Sequence, residues 1–228
     1  MKIYENFFKR FIDFCLSFLG VIVLFPLLLV LSIIGTIAMK GNPFFCQPRP
    51  GKGEKVFKLI KFRTMSNTKD KNGNLLPDEV RLNSYGRFLR STSLDELPSL
   101  LNIIYGDLAI VGPRPQLVRD MVFMTPVQRK RHSVRPGLTG LAQVNGRNNI
   151  TWEQKFEYDL CYIEKISFFK DLRIIFKTFE KVLRRADIVR EGTASDMDFG
   201  DWLLLKNEVT KEEYDKKQRE AKKILRKG

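Results

Sequence analysis

Arg90-Ser91-Thr92-Ser93-Leu94-Asp95-Glu96-Leu97-Pro98-Ser99-Leu100 sets two carboxylates side by side just ahead of a proline. Proline lacks the N–H that a helix interior needs and is tolerated in the first turn. The spacing therefore predicts a helix that begins near Ser93, with Asp95 and Glu96 in its first turn. Backbone amides at such an end stabilise carboxylates and attract phosphate. Ser93 and Glu96 also fit a capping box, in which each side chain satisfies the other's backbone amide. On local pattern alone that is the simpler reading, and the neighbouring cations are what favour chemistry. Arg90 lies just upstream, Lys61 and Arg63 flank Phe62, and Arg114 sits in the rigid turn Gly112-Pro113-Arg114-Pro115. Carboxylates and cations around a helix start are what phosphoryl transfer uses. One carboxylate can act as nucleophile, a second can hold Mg²⁺, and cations neutralise charge on the transferring oxygens. Successive helical residues point about 100° apart, so Asp95 can face the phosphorus while Glu96 faces the metal.

Other chemistries find less support. The only histidine is His132, which argues against triads that need a histidine beside a nucleophile. Cys15, Cys46 and Cys161 are scattered and form no C-x-x-C, so neither a disulfide framework nor a cysteine zinc site is expected. Asp196-Met197-Asp198 is a D-x-D that a direct glycosyltransferase could use to hold a metal-bound UDP. That is the alternative reading, a membrane-attached glycosyltransferase working through Asp196 and Asp198. The net charge of +14 calls for a polyanionic partner. With no helix-turn-helix, RNP or zinc-finger signature, anionic lipid and phosphorylated substrate are expected rather than nucleic acid.

The elements that must position these residues follow from patterning. Phe11 to Met39 is apolar apart from Asp13, and roughly 20 apolar residues span a bilayer. Pro26 near its middle should kink the helix, and basic residues flank both ends, so charge does not choose an orientation. A helix that enters, breaks near Pro26 and returns to the same face satisfies both facts, and so does a proline-kinked full span. Residues 44–47 and 56–62 read as strands of a hairpin around Pro48-Arg49-Pro50-Gly51-Lys52-Gly53. Residues 66–78 read as a loop. Helices are expected near 79–89, 94–104, 116–122, 126–131, 151–164 and 168–187, with a charged helical tail from about residue 211. Several of them are amphipathic with basic edges and suit the headgroup layer.

Five motifs then appear in order: Lys61-Phe62-Arg63-Thr64-Met65; Arg90-Ser91-x-Ser93-Leu94-Asp95-Glu96-Leu97; Gly106-Asp107-Leu108-x-x-Val111-Gly112-Pro113-Arg114-Pro115; Val134-Arg135-Pro136-Gly137-Leu138-Thr139-Gly140; and Gln143-Val144-Asn145-Gly146-Arg147. With the N-terminal apolar segment, these resemble the bacterial sugar transferases, in particular the small monotopic polyprenol-phosphate phosphoglycosyl transferases that start glycoprotein glycan assembly. The resemblance covers about residues 1–190. It implies an α+β, mostly helical fold with a re-entrant membrane helix broken at Pro26 in Phe25-Pro26, a short β-hairpin and interfacial helices. It divides the chain into a membrane segment 1–40, a catalytic core 41–190 and a C-terminal extension 191–228. It implies a two-step reaction in which Asp95 attacks the sugar-bearing phosphorus of a UDP-sugar and releases UMP. Polyprenol (undecaprenyl) phosphate then takes the phospho-sugar from the aspartyl intermediate. Glu96 matches the Mg²⁺ ligand, Lys61, Arg90, Arg114 and Arg147 match cationic and polar site positions and Asp171 an acidic position near the site; with Arg63, placed beside Lys61 on the hairpin, these are the expected substrate-binding residues. An N-acetylated donor such as UDP-di-N-acetylbacillosamine is implied, with the catalytic domain on the cytoplasmic face of the bacterial inner membrane.

Overall fold

A computed structural model describes residues 3–146, 150–184 and 197–227 of the chain. It is mostly helical, with two small two-stranded sheets. After a π-helical turn at Tyr4–Phe8 comes one long helix, α1 (Lys9–Met39). Pro26 lies inside α1 and the helix continues on both sides of it, so the two limbs expected from a break at Phe25-Pro26 are a single element. A proline takes one hydrogen bond out of the ladder, and the turns before and after it hold the helix together. Asp13 and Ser17 near the start, and Leu31, Gly35 and Met39 near the end, are buried at four-residue steps. One stripe of α1 therefore packs on the rest of the chain at both ends, while Phe11, Phe18, Ile22, Phe25 and Ile33 stay exposed.

The hairpin pairs β1 (Phe44–Pro50) with β2 (Val56–Phe62) in antiparallel register, Phe44 opposite Phe62 and Pro50 opposite Val56. β1 runs past Gln47 into Pro48 and Pro50, which an edge strand accommodates because it need not donate on its outer side. The helix expected at 79–89 is two, α2 (Asp78–Arg81) and α3 (Ser84–Thr92), because Asn83 accepts the Gly86 N–H at 2.8 Å and starts a new helix. The helix expected at 94–104 is a 3₁₀ turn, Leu94–Ser99, followed by α4 (Leu100–Tyr105). Next come β3 (Ala109–Val111), α5 (Val118–Met121), α6 (Pro126–Arg129), β4 (Gly137–Thr139) and α7 (Leu141–Val144). The chain then forms α8 (Trp152–Glu164), α9 (Phe168–Leu183), α10 (Phe199–Leu205) and α11 (Lys211–Lys227). β3, β4, α7 and α10 were not expected, since three to seven residues are too few for a periodic signal.

Two joints hold the site-bearing segments. Asn102 of α4, 2% exposed, accepts the Ile60 N–H and donates to Lys58 O, both at 2.9 Å, and Ser99 donates to Ile60 O at 2.7 Å. Side chains thus satisfy the outer edge of β2 and fix it against the carboxylate turn. β3 and β4 run parallel, Ala109 opposite Gly137 and Val111 opposite Thr139. A Cβ on Gly137 would come within 2.0 Å of Gly112 N, and one on Gly112 within 2.6 Å of Arg135 O. Only glycines let these backbones touch, and that contact sets the turn carrying Arg114.

The described part of the C-terminal extension packs into the same core. Phe199 and Leu203 cluster with Met124, Trp152 and Phe156, and Ala221 clusters with Val118, Met121 and Val122. On α9, Asp171 and Ile174 face inward, while Phe169, Phe176, Phe179 and Leu183 form an exposed apolar stripe.

Candidate active site

Asp95 and Glu96 lie in the 3₁₀ turn between α3 and α4. The expected capping box is not formed. Ser93 is the left-handed residue that ends α3, with φ of 57°, and its side chain caps nothing in the following turn. Pro98 explains the tight geometry, because it has no N–H to give a regular α-helical turn there. The Glu96 carboxylate is therefore turned to other partners. Its Oε1 accepts from Lys61 Nζ at 2.6 Å and from Arg114 Nη2 at 2.8 Å. Lys61 comes from β2, and Arg114 from the turn after β3.

The two adjacent carboxylates are driven apart electrostatically. Burial pushes Glu96 up, but Arg114 and Lys61 outweigh it and hold Glu96 well below the usual carboxylate range. Asp95 is pushed up to about 6, first by burial and then by the charge of Glu96, against the pull of Lys61, Arg114 and Arg90. Glu96 is thus a fixed anion inside a cation cradle. Asp95 is the carboxylate whose charge is costly to bury, and one that gains from meeting an electrophile or a cation.

Arg90 donates from Nε to Thr64 Oγ1 at 3.1 Å and adds its charge beside Asp95. Its helix approaches that closely because a Cβ on Gly86 would sit 1.9 Å from Thr64 O. Arg63 does not join the cradle, and donates instead to Phe44 O at 3.3 Å at the open end of the hairpin. Nor does Asp171 belong to it. Its carboxylate is buried between Tyr162 (2.8 Å), Tyr4 (2.9 Å) and Lys9 (2.5 Å), where it ties α9 to α8 and to the N-terminal segment. A buried, fully partnered carboxylate of this kind is a structural joint. Arg147 and Asp196 lie outside the described residues. Asp198 is salt-bridged to Arg119 at 2.5 Å.

Sequence reasoning passed over Arg49. It is 3.1 Å from Pro115 O through Nη1, and it lines with Lys61, Glu96 and Arg114 a small cavity beside the carboxylates. The missed signal was a shared pattern, Pro48-Arg49-Pro50 repeating Pro113-Arg114-Pro115. In each, two prolines of fixed φ hold the backbone on either side of a guanidinium. Also passed over was the buried pair Arg131–Asp159, which reaches the site because Arg131 Nη2 donates to Arg114 O at 2.6 Å. His132 is a packing residue, buried beside Glu54.

The sequence profile of the bacterial sugar transferases matches residues 4–185. The chain belongs to the bacterial sugar transferase family. Sugar transferase EpsL of Bacillus subtilis is 53% identical over 157 residues, 68% of this chain and 78% of that one. The UDP-glucose:undecaprenyl-phosphate glucose-1-phosphate transferase of Klebsiella pneumoniae is 41% identical over 184 residues, 76% of this chain but 40% of that longer protein. The exopolysaccharide production protein ExoY of Sinorhizobium fredii is 35% identical over 191 residues, 76% of this chain and 84% of its own. Against its longer relatives, then, this sugar transferase spans well under half of their length. The segments holding Lys61, Arg90, Asp95, Glu96 and Arg114 all fall inside the family match.

Proposed function

We propose that this protein transfers a phospho-sugar from a UDP-sugar to undecaprenyl phosphate as the first membrane step of glycoconjugate assembly. The observation that carries the reading is the convergence of Lys61 from β2 and Arg114 from the turn after β3 on Glu96 beside Asp95. Relatives named for the same transfer with glucose support it. Asp95 attacks the sugar-bearing phosphorus, its new P–O bond replaces the bond to UMP, and UMP leaves. An oxygen of undecaprenyl phosphate then attacks the same phosphorus and returns Asp95 as a carboxylate. Lys61, Arg90, Arg114 and Arg49 neutralise the oxygens of the diphosphate. Arg147 is assigned to the same cationic group through its motif.

The site suits Mg²⁺. This ion is commonly held by one or two carboxylates together with substrate phosphates, and the second oxygen of Glu96, whose Oε1 alone meets Lys61 and Arg114, would be the ligand. Bound there, Mg²⁺ supplies further neutralisation of the diphosphate charge. The reading is tested by the product. Membranes carrying the protein, with Mg²⁺ and a panel of UDP-glucose, UDP-galactose and N-acetylated UDP-sugars including UDP-di-N-acetylbacillosamine, should release UMP. Release of UDP instead would establish direct glycosyl transfer, the alternative that would use Asp196 and Asp198.

The contacts of α1 support a membrane arrangement as part of the same proposal. Near its start Arg10 donates to Ile103 O and Ile104 O at the end of α4, and near its finish Ala38 O accepts from Asn83 at 3.0 Å. A 31-residue helix is about 46 Å long, yet both of its ends dock on one domain. We read it as monotopic, embedded by its exposed apolar face together with the stripe on α9, with both ends on the cytoplasmic side and anionic lipids around its basic flanks. In a cysteine-free background, single cysteines at Glu5 and Lys40 should both react with an impermeant maleimide in inside-out vesicles and neither in intact spheroplasts. Labelling of the two ends from opposite sides would establish a full span.

A further inference from the structure

A cavity of about 190 Å³ lies at the start of α1 and shares no residue with the one beside the carboxylates. Its charged lining is Glu5, Lys9, Arg10, Asp13, Lys52 and Arg135, drawn from the N-terminal segment, the hairpin turn and the approach to β4. Two of these charges are already matched. Lys9 pairs with Asp171 at 2.5 Å and lies 3.9 Å from Asp13, and Asp13 also accepts the Ile110 N–H at 3.3 Å. That leaves Arg10, Lys52 and Arg135 facing Glu5, an excess of cations.

Arg10 and Arg135 converge on the end of α4. Arg10 donates to Ile103 O and, at 2.8 Å, to Ile104 O, and Arg135 Nε donates to Gly106 O at 2.8 Å. A Cβ on Gly106 would lie 3.2 Å from Arg10 Nη2, so the turn closes directly on the guanidinium. Burial and then the charge of Arg135 push the Arg10 guanidinium down, against the pull of Asp13 and Asp107. Two like charges are thus brought together, and both are hydrogen-bonded to carbonyls rather than to a carboxylate. The carbonyl end of a helix offers about half a negative charge, which does not balance two guanidiniums. Arg135 bonds Gly106 through Nε alone, and the fork of its two terminal nitrogens is the geometry that matches a phosphate.

The surroundings select what carries that phosphate. Phe7, Phe8, Phe11 and Phe14 on the same turns are exposed, and Arg10 lies 5.9 Å over the Phe14 ring. Aromatic and basic side chains at the start of an apolar helix belong in the headgroup layer. A free anion would meet the guanidiniums and leave the aromatic rim bare, whereas a phospholipid satisfies both.

We propose that this cavity holds the phosphate of an anionic phospholipid headgroup between Arg10 and Arg135, with the exposed Lys52 beside them. The site rests on the membrane placement of α1 proposed above and not on the sugar transfer. Its test is native mass spectrometry of the full-length protein from micelles containing equal amounts of phosphatidylglycerol and phosphatidylcholine. Wild type should retain one phosphatidylglycerol about tenfold or more in preference to phosphatidylcholine, and Arg135→Gln and Lys52→Gln should each lower that preference about fivefold. Lys223→Gln, an equal loss of charge on the exposed face of α11, should leave it unchanged. A melting curve checks each variant, and Lys52→Gln alters an exposed side chain, so the test stands even where Arg135→Gln does not fold. An unchanged preference in both site variants overturns the proposal, as does an equal loss with Lys223→Gln, which would mean diffuse attraction. Displacement of the lipid by millimolar inorganic phosphate would make the ligand a free anion, and displacement by equimolar undecaprenyl phosphate would make the cavity an acceptor site. Either result also overturns it. Because retention is read in micelles, it can fail while both ends of α1 still label from one side, and the two failures are thereby told apart.

Discussion

Asp95→Asn should lower UMP release from the UDP-sugar by on the order of 10⁴-fold or more, the scale of losing a covalent nucleophile. An amide has the shape of the carboxylate but not its nucleophilic oxygen. The substitution also removes a charge that burial and Glu96 both disfavour, so the variant should melt at or above the wild-type temperature. That combination separates a chemical role from a structural one. It is measured as UMP released in a single turnover without undecaprenyl phosphate, alongside a melting curve. Mass spectrometry of the wild-type protein under the same conditions should show a phospho-sugar increment on Asp95. UMP release from the asparagine variant at more than a few per cent of the wild-type rate would remove Asp95 from the role of nucleophile.

Arg131→Met should cost about 3–5 kcal/mol of stability, the effect of breaking a buried ion pair from one side. Arg131 is 1% exposed and binds Asp159 Oδ2 through Nε at 2.9 Å and Nη2 at 2.6 Å. Burial already pushes Asp159 up against the pull of Arg131, so without the guanidinium a carboxylate is left alone in the core. The same Nη2 holds Arg114 O, and the variant should therefore also lose activity through a loosened Arg114. Urea unfolding measures the first effect. Arg131→Met with Asp159→Leu should recover much of the stability but not the activity, since the apolar pair still cannot hold Arg114 O. Single variants that melt like wild type would show that the pair contributes little.

These two outcomes sit at opposite ends of what could be read from the chain alone. Asp95 and Glu96 stand beside a proline in a motif that declares itself, and the cations Lys61, Arg90 and Arg114 sit in motifs of their own. Arg131 and Asp159, 28 residues apart, give no local sign that they meet. Asp171 shows the converse, for its motif suggested a place near the site, and Tyr162 of the preceding helix with Tyr4 and Lys9 of the distant N-terminal segment bury it as a joint. Arg63 is expected beside Lys61 on the hairpin, yet it lies just past the end of β2 and its guanidinium turns to Phe44 O. Strand alternation governs a side chain only while the strand lasts.

The sequence by itself determined the elements that carry a periodic or punctuated signal. These are the long apolar helix, the hairpin, α8 and α9, the charged tail helix and the order of the motifs. Each follows from interactions within a few residues, such as helical spacing, a proline's missing N–H or a turn's composition. It also placed two carboxylates together, because adjacency is covalent. Only the tertiary structure decided what those carboxylates are. A capping box and a cation cradle begin from the same letters, and the choice between them was made by Lys61 and Arg114 arriving from β2 and from the turn after β3. Their arrival depends on Asn102 pairing the edge of β2 and on Gly112 and Gly137 letting two backbones touch. The same holds for Pro26, which locally predicts a break that a 31-residue helix packed at both ends does not make. Long-range contacts carry no signature at short spacing, and they separate Glu96, the fixed anion, from Asp95, the carboxylate whose charge is costly to bury.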